Sequence, residues 1–321
     1  MTESIFVGDG DLFTPTEHAR GPWDPRALHG GAPAALITAA FERMQPGAEL
    51  PFARLSFEFL RPVPMAPLKL STRVSRPGRR VQALEAELSA GDVTVCRASA
   101  LRLVPTPEEV PELALAQVEA ARPRAIAPAS DGEQVRFALD DMERKSFAAT
   151  AMEMRFLRGK PLVGGLPEHD KARRPELPAR EANEPELPAR EGNEPKLPAR
   201  ERNDPEFSAQ SAAGHVPSGA ATVWMRLRHP LLPDEPLTPL ARVAATSDFG
   251  NGVATVLPFD KYLFINADLT ISFNRRPQGE WVALDARTLL HPGGIGWSES
   301  VLHDELGPVG RATQALVVQR R

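Results

Sequence analysis

The sequence predicts an α+β protein of two related domains, each an antiparallel sheet wrapped around one central helix. Three observations carry this expectation. Two pairs of segments repeat at one constant offset. A helix-like run in the first half is apolar on every side. A set of proline-rich decapeptides interrupts the second half. The length, 321 residues, suits about two domains on the usual allowance of roughly 100–200 residues each.

The repeat comes first because it organises everything else. Residues 53–61 read ARLSFEFLR and residues 267–275 read ADLTISFNR; VCRASALRLV from Val95 answers VGRATQALVV from Val309. Both pairs are 214 positions apart, so the segments between them have equal length in the two halves. Residues 1–105 are therefore expected as one domain, 106–145 as a linker, and 146–321 as the second domain.

Each half lists its elements in the same order. In the first, ALHGGAPAALITAAFERM supplies a helix over about 29–44, stopped by Gln45-Pro46-Gly47. It precedes the strand-like runs FARLSFEFLRP, PLKLSTRVSR, RVQALEAELSA and VTVCRASALRLV, which alternate as half-buried strands do. In the second, Thr238-Pro239 makes an N-cap and N1 pair for a helix through LARVAATSDF, which Gly250-Asn251-Gly252 should end. FINADLTISFNR, EWVALDARTLL, the segment around IGWSESVLHD, and GRATQALVVQR follow as strands. SFAATAMEMRFL and AATVWMRLRH read as strands before this helix.

Between those two strands, at about 160–217, lie the decapeptides PELPAREANE from Pro175, PELPAREGNE from Pro185 and PKLPARERND from Pro195, then a decayed PEFSAQ. Each offers one large apolar residue against several charges. Such a segment cannot bury enough surface to offset the entropy of ordering it, so an extended polyproline-like linker is expected.

Composition narrows the function classes. The net charge of −4 gives no general attraction to nucleic acid or anionic membrane. A single cysteine, Cys96, excludes an internal disulfide framework and is expected to be a buried small side chain. The start MTESIFVGDG lacks the basic and apolar regions of a secretion signal, and no apolar run is long enough to span a bilayer; a cytoplasmic protein is the expectation. No G-x-S-x-G elbow, no phosphate-cradling loop and no H-E-x-x-H spacing occurs, so the expected chemistry uses neither metal nor cofactor.

A helix apolar all round must be covered all round, and a long antiparallel sheet curling around it does so. This is the hotdog arrangement, here a double hotdog in one chain. The runs WDPRALHGGAPAALITAAF, VWMRLRHPLL, AATSDFGNG, FINADLTISFNRRPQGEWVALDA and GRATQALVV resemble the double-hotdog acyl-CoA thioesterases (thioesterase II, TesB-like). The resemblance covers residues 1–105, 146–159 and 218–321, and leaves out the decapeptides. It implies hydrolysis of acyl-CoA, or of an acyl-carrier thioester, to free acid. It also implies a catalytic trio on the second domain: an Asp at the end of the helix, a Thr/Ser/Asn-type residue on the next strand and a Gln on the last strand. These positions fall on Asp248, on Asn266 where a Thr would be expected, and on Gln314. Thr270, four residues beyond Asn266 and expected on the same strand face, is the alternative for the middle role.

The repeat tests this independently. Gln314 corresponds to Ala100, and the second helix has Asp248 but no glycines at its start. One composite site is the simplest reading. Helix-terminal N–H groups at His29-Gly30-Gly31 would hold the oxyanion and substrate, with glycine admitting the thioester against bare backbone. Asp248 would orient or deprotonate water, and Gln314 would hold water and substrate. The plainer readings stand beside these: Gly30 and Gly31 for close packing, His29 for capping, Asp248 as a helix-ending residue, and Arg61 and Arg275 as matched structural residues. Two other functions remain open, a non-catalytic acyl-CoA or acyl-carrier binder and a hotdog dehydratase or hydratase. So does assembly into a homo-oligomer.

Overall fold

In a computed structural model, the described residues are 3–44, 51–105, 125–135, 145–159, 219–258 and 261–320, with a few positions between 114 and 123. The decapeptides, and most of the segment expected as a linker, lie outside them.

The strands are β1 (Phe6–Asp9), β2 (Leu12–Pro15), β3 (Phe52–Phe59), β4 (Leu68–Arg76), β5 (Val81–Ala90), β6 (Val93–Leu103), β7 (Glu133–Val135), β8 (Met152–Arg158), β9 (Ala220–Leu227), β10 (Tyr262–Asn266), β11 (Asp268–Phe273), β12 (Val282–Leu290), β13 (Ile295–Asp304) and β14 (Gly307–Arg320). The helices are α1 (Gly31–Arg43), α2 (Pro239–Ser247) and the short α3 (Gly250–Val253). The fourteen strands of the described residues join one sheet in the order β1-β2-β4-β5-β6-β3-β11-β14-β13-β12-β9-β8-β7, with β10 on β14.

From β4 to β12 that order is a palindrome under the repeat. Strands β4, β5 and β6 begin exactly 214 residues before β12, β13 and β14. The halves meet where β3 pairs antiparallel with β11, and the register places Ser56 opposite Thr270, Phe57 opposite Leu269 and Leu55 opposite Ile271. Ser56 and Thr270 are themselves a repeat pair, so the junction has a local twofold axis through them. Their hydroxyls meet at 3.3 Å.

Alternation puts Leu55, Phe57, Leu269 and Ile271, all buried, on the face that the helices cover. α1 is buried along almost its whole length, as an all-apolar helix requires. Thr238 caps α2 as expected, its Oγ1 accepting from the Ala241 N–H at 3.1 Å, with Pro239 at the first position.

The structure differs from the sequence reading in four places. Gly250-Asn251-Gly252 does not end the second helix in a loop; α2 stops at Ser247 and these residues form α3. SFAATAMEMRFL is not all strand, because the Ser146 side chain accepts from the Ala149 N–H and holds Phe147–Ala151 as a π-helical turn before β8. FINADLTISFNR is broken at Ala267. From Asn266 to Thr270 the chain advances four residues, while the facing strand advances only from Leu316 to Thr313. This one-residue bulge reverses which face each later side chain takes. A short edge strand, β7, lies inside the segment expected as a linker and pairs with β8.

Candidate active site

Where α1 begins, its first turn crosses α2. Neither Gly30 nor Gly31 has a positive φ, so glycine is required here by space and not by conformation. A Cβ on Gly31 would lie 2.3 Å from the Ala245 carbonyl oxygen of α2. A Cβ on Gly30 would lie 2.8 Å from Oδ2 and 3.0 Å from Oδ1 of Asp248. The pair thus divides: Gly31 admits the neighbouring helix, and Gly30 admits the carboxylate.

Asp248 caps the C-terminal end of α2 and is 6% exposed. Its Oδ1 accepts from Asn266 Nδ2 at 2.9 Å and Gln314 Nε2 at 3.3 Å, and both amides also donate to its backbone oxygen, at 3.2 and 3.1 Å. Its Oδ2 lies 3.0 Å from His29 Nδ1. That nitrogen is also 3.1 Å from the Gly31 N–H; it can donate to the carboxylate or accept from Gly31, and the tautomer decides which. The His29 ring packs against Phe249 at 4.2 Å and Phe147 at 5.0 Å, and those two rings lie 5.9 Å from each other.

Asp248, Gln314, Asn266, His29 and Gly30 therefore converge, with first-half residues completing a second-half cluster. Three assignments need correction. Thr270 is not brought in: the bulge at Ala267 turns its hydroxyl to the opposite sheet face, onto Ser56. Gln314 does not offer its amide to substrate, since Nε2 is on Asp248 and Oε1 already accepts from the Asn251 N–H at 3.3 Å, which leaves one oxygen lone pair. The space at Gly31 belongs to Ala245, so it offers no room for a ligand there.

Among the described residues, two groups within reach of the Asp248 carboxylate keep unused hydrogen-bonding capacity. Asn266 Oδ1 is buried without a partner. In the first turn of α1, Gly31 and Ala32 donate to His29 and Ala34 donates to Gly30, which leaves the Gly30 N–H as a donor without an acceptor.

The residues around Gln314 were not anticipated. Gln314, Ser298 and Thr288 stand directly opposite one another across β14, β13 and β12. All are at least nine-tenths buried, as is Ser300. A Cβ on Gly250 would meet Gln314 Oε1, Ser300 Oγ and Ser298 Oγ within 3.1 Å, so α3 lies directly on this polar row. The signal was available: at the 214 offset, Val74, Leu84, Ala86 and Ala100 stand where Thr288, Ser298, Ser300 and Gln314 do.

Other residues singled out by the sequence are structural. Cys96 is fully buried, and burial pushes its thiol up to about 12, which rules out a thiolate nucleophile near neutral pH. Arg275 forks onto Asp304 and also donates to the Pro308 and Gly307 carbonyls. A charged groove lined by Ser56, Glu58, Arg73, Glu85, Arg97 and Ser99 lies on the sheet face away from the helices and from Asp248. Among the described residues no helix is long and apolar enough to cross a membrane.

Comparison with known proteins agrees with this layout. The acyl-CoA thioesterase N-terminal domain model matches residues 19–103 and the acyl-CoA thioesterase C-terminal domain model matches 174–318, together more than half of the chain. No curated protein matches the sequence. Among solved structures, a candidate thioesterase II from Thermobifida fusca is 17% identical with a TM-score of 0.63, over 99% of this chain and 96% of that one. A hot dog fold protein from Alicyclobacillus acidocaldarius is 15% identical with a TM-score of 0.62, over 98% and 95%. An acyl-CoA thioesterase II from Mycobacterium marinum is 14% identical with a TM-score of 0.54, over 100% and 95%. These likenesses establish a hotdog fold. Matched by domain models in both of its halves, the chain belongs to the acyl-CoA thioesterase family.

Proposed function

We propose that the chain is a double hotdog that hydrolyses acyl-CoA thioesters with water activated at Asp248, without a covalent enzyme intermediate. The observation that carries the reading is the buried Asp248 carboxylate, held against the glycine start of the other half's helix. Asn266 and Gln314 hold Oδ1 and His29 faces Oδ2, which fixes the carboxylate in one orientation. In the reaction, Asp248 takes a proton from water as the oxygen attacks the thioester carbonyl. The unused Gly30 N–H, at the positive end of α1, stabilises the oxyanion, and Asn266 Oδ1 accepts the other hydrogen of the water. Collapse of the intermediate breaks the C–S bond, and the CoA thiolate leaves, taking up the proton. Gln314 acts by positioning Asp248.

Thiol release from a panel of acyl-CoAs tests this, with wild type beside Asp248→Asn. A general base contributes on the order of 10²–10⁴ in rate, and a loss of that size is the expected result. Full activity in the variant would remove Asp248 from the mechanism. A protein that binds acyl-CoA and leaves it intact over hours would be a binder. His29 Nδ1 at 3.0 Å from Asp248 favours one second reading, a hydratase or dehydratase that uses the pair on a β-hydroxyacyl or enoyl thioester. Loss or gain of enoyl absorbance with no thiol released would establish it.

A further inference from the structure

We propose that Glu3, His18 and His229 form a binding site for one divalent cation of the zinc type, separate from Asp248. The three residues come from distant segments: the N-terminal stretch before β1, the 3₁₀ turn Glu17–Ala19, and the loop after β9. One ligand atom from each lies within 4.8 Å of the others. Two imidazoles and a carboxylate are the donor set that zinc accepts with a fourth position left for water.

The geometry goes beyond proximity. His18 Nε2 and Glu3 Oε2 are 3.2 Å apart, close to the about 3.3 Å edge of a tetrahedron with zinc–ligand bonds of about 2.0–2.1 Å. The His18 and His229 rings pack against each other, 4.0 Å between centroids and tilted by 36°. With the ligand atoms up to 4.8 Å apart, binding one ion requires the exposed Glu3 side chain or the half-buried His229 ring to turn toward His18 Nε2.

The supporting groups are also in place. Metal-bound histidines commonly have their second nitrogen held by a polar partner, and bound carboxylates are themselves hydrogen-bonded. His18 is 4% exposed, and its Nδ1 is 2.8 Å from Thr150 Oγ1, which leaves Nε2 facing Glu3. Lys145 holds the other carboxylate oxygen, Oε1.

An ion here would act as a brace. Thr150 lies in the same π-helical turn as Phe147, whose ring stacks on His29. Tying His18 and His229 to Glu3 would stiffen that turn.

The test uses the full chain without a polyhistidine tag, stripped with chelator and titrated with Zn²⁺ by calorimetry and with Co²⁺ by visible absorption. One ion per chain at micromolar Kd or tighter is expected, with the strong absorption of tetrahedral Co²⁺. Glu3→Gln, on an exposed side chain, should weaken binding at least tenfold, and His229→Ala should abolish it; circular dichroism confirms that both variants fold. Absence of stoichiometric binding would overturn the proposal and leave a hydrogen-bonded clasp. Binding that neither variant changes would overturn it equally.

Discussion

The two halves share one backbone plan and differ in what they place beneath their helices. Under α1, the strand row Val74–Leu84–Ala100 is apolar. Under α2 and α3, the matching row is Thr288–Ser298–Gln314. Conversely, α1 starts on two glycines and α2 on Thr238-Pro239. The first half supplies close backbone and His29, and the second supplies the other polar side chains. The lesson is physical: a buried polar row is costly unless it is partnered, so a chain with two similar cores concentrates that cost in one.

The largest expected effect tests the polar half. Asp248→Asn should lower kcat by about 10²–10⁴ and leave the thermal midpoint close to wild type. A drop in folding with full activity per folded molecule would make Asp248 a helix-ending residue only.

Next comes an exchange across the comparison. Leu84→Ser puts the second half's residue into the first. It removes a fully buried side chain and leaves a hydroxyl without a partner, so a loss of about 2–5 kcal/mol in chemical unfolding is expected. Ser298→Ala should cost about 1 kcal/mol or less, because the Oγ makes a single 3.3 Å bond to the Arg287 carbonyl. Equal losses at the two positions would erase the distinction between the rows.

The glycine pair should separate cleanly. Gly31→Ala drives a methyl into the Ala245 carbonyl and should cost about 1–3 kcal/mol of stability. Gly30→Ala pushes directly on the Asp248 carboxylate. It should lower kcat up to about 10²-fold, as a displacement of about 1 Å in a reacting group does, with a smaller change in stability. If both act on stability alone, the first half contributes packing and nothing to the site.

A pH measurement probes a feature that the first half lacks, since Ser89 occupies the position of His303. Burial holds the His303 ring below the usual histidine range, outweighing Asp285 and Asp304 beside it. The folded state therefore binds fewer protons than the unfolded chain, and stability falls as pH drops below the unfolded value near 6.5. His303→Gln should flatten that part of the urea-midpoint profile. An unchanged slope would assign the effect to His18, whose ring is also held low, by burial and by His229. The smallest effect belongs to the junction: Thr270→Val should leave activity unchanged and alter stability by about 0.5 kcal/mol at most.

What the sequence revealed, and what it hid, follows from the range of each interaction. The 214 offset located β4, β5 and β6 against β12, β13 and β14 to the residue, because strand alternation and repeat register are written locally. The Thr238-Pro239 cap was legible for the same reason. The bulge at Ala267 was not, because it shows only in the pairing with β14, and with it went the placement of Thr270. The contact between His29 and Asp248 spans more than two hundred residues, so no spacing rule could report it. The Glu3–His18–His229 cluster was invisible for the same reason. The polar row was readable at the offset, but only by comparing every inward position and not Gln314 alone.

The Ser56–Thr270 pairing bears on what either half could do by itself. Separated from its companion, the first half would present β3 as a bare edge, with unpaired N–H and C=O groups along its length. The strand best matched to that edge is a second copy of β3, because the axis through Ser56 relates β3 to a strand of its own repeat. A free half should therefore self-associate by edge-to-edge pairing. In the intact chain the same contact is intramolecular, and joining sites 214 residues apart makes it a long-range closure that weighs on folding speed more than on final stability.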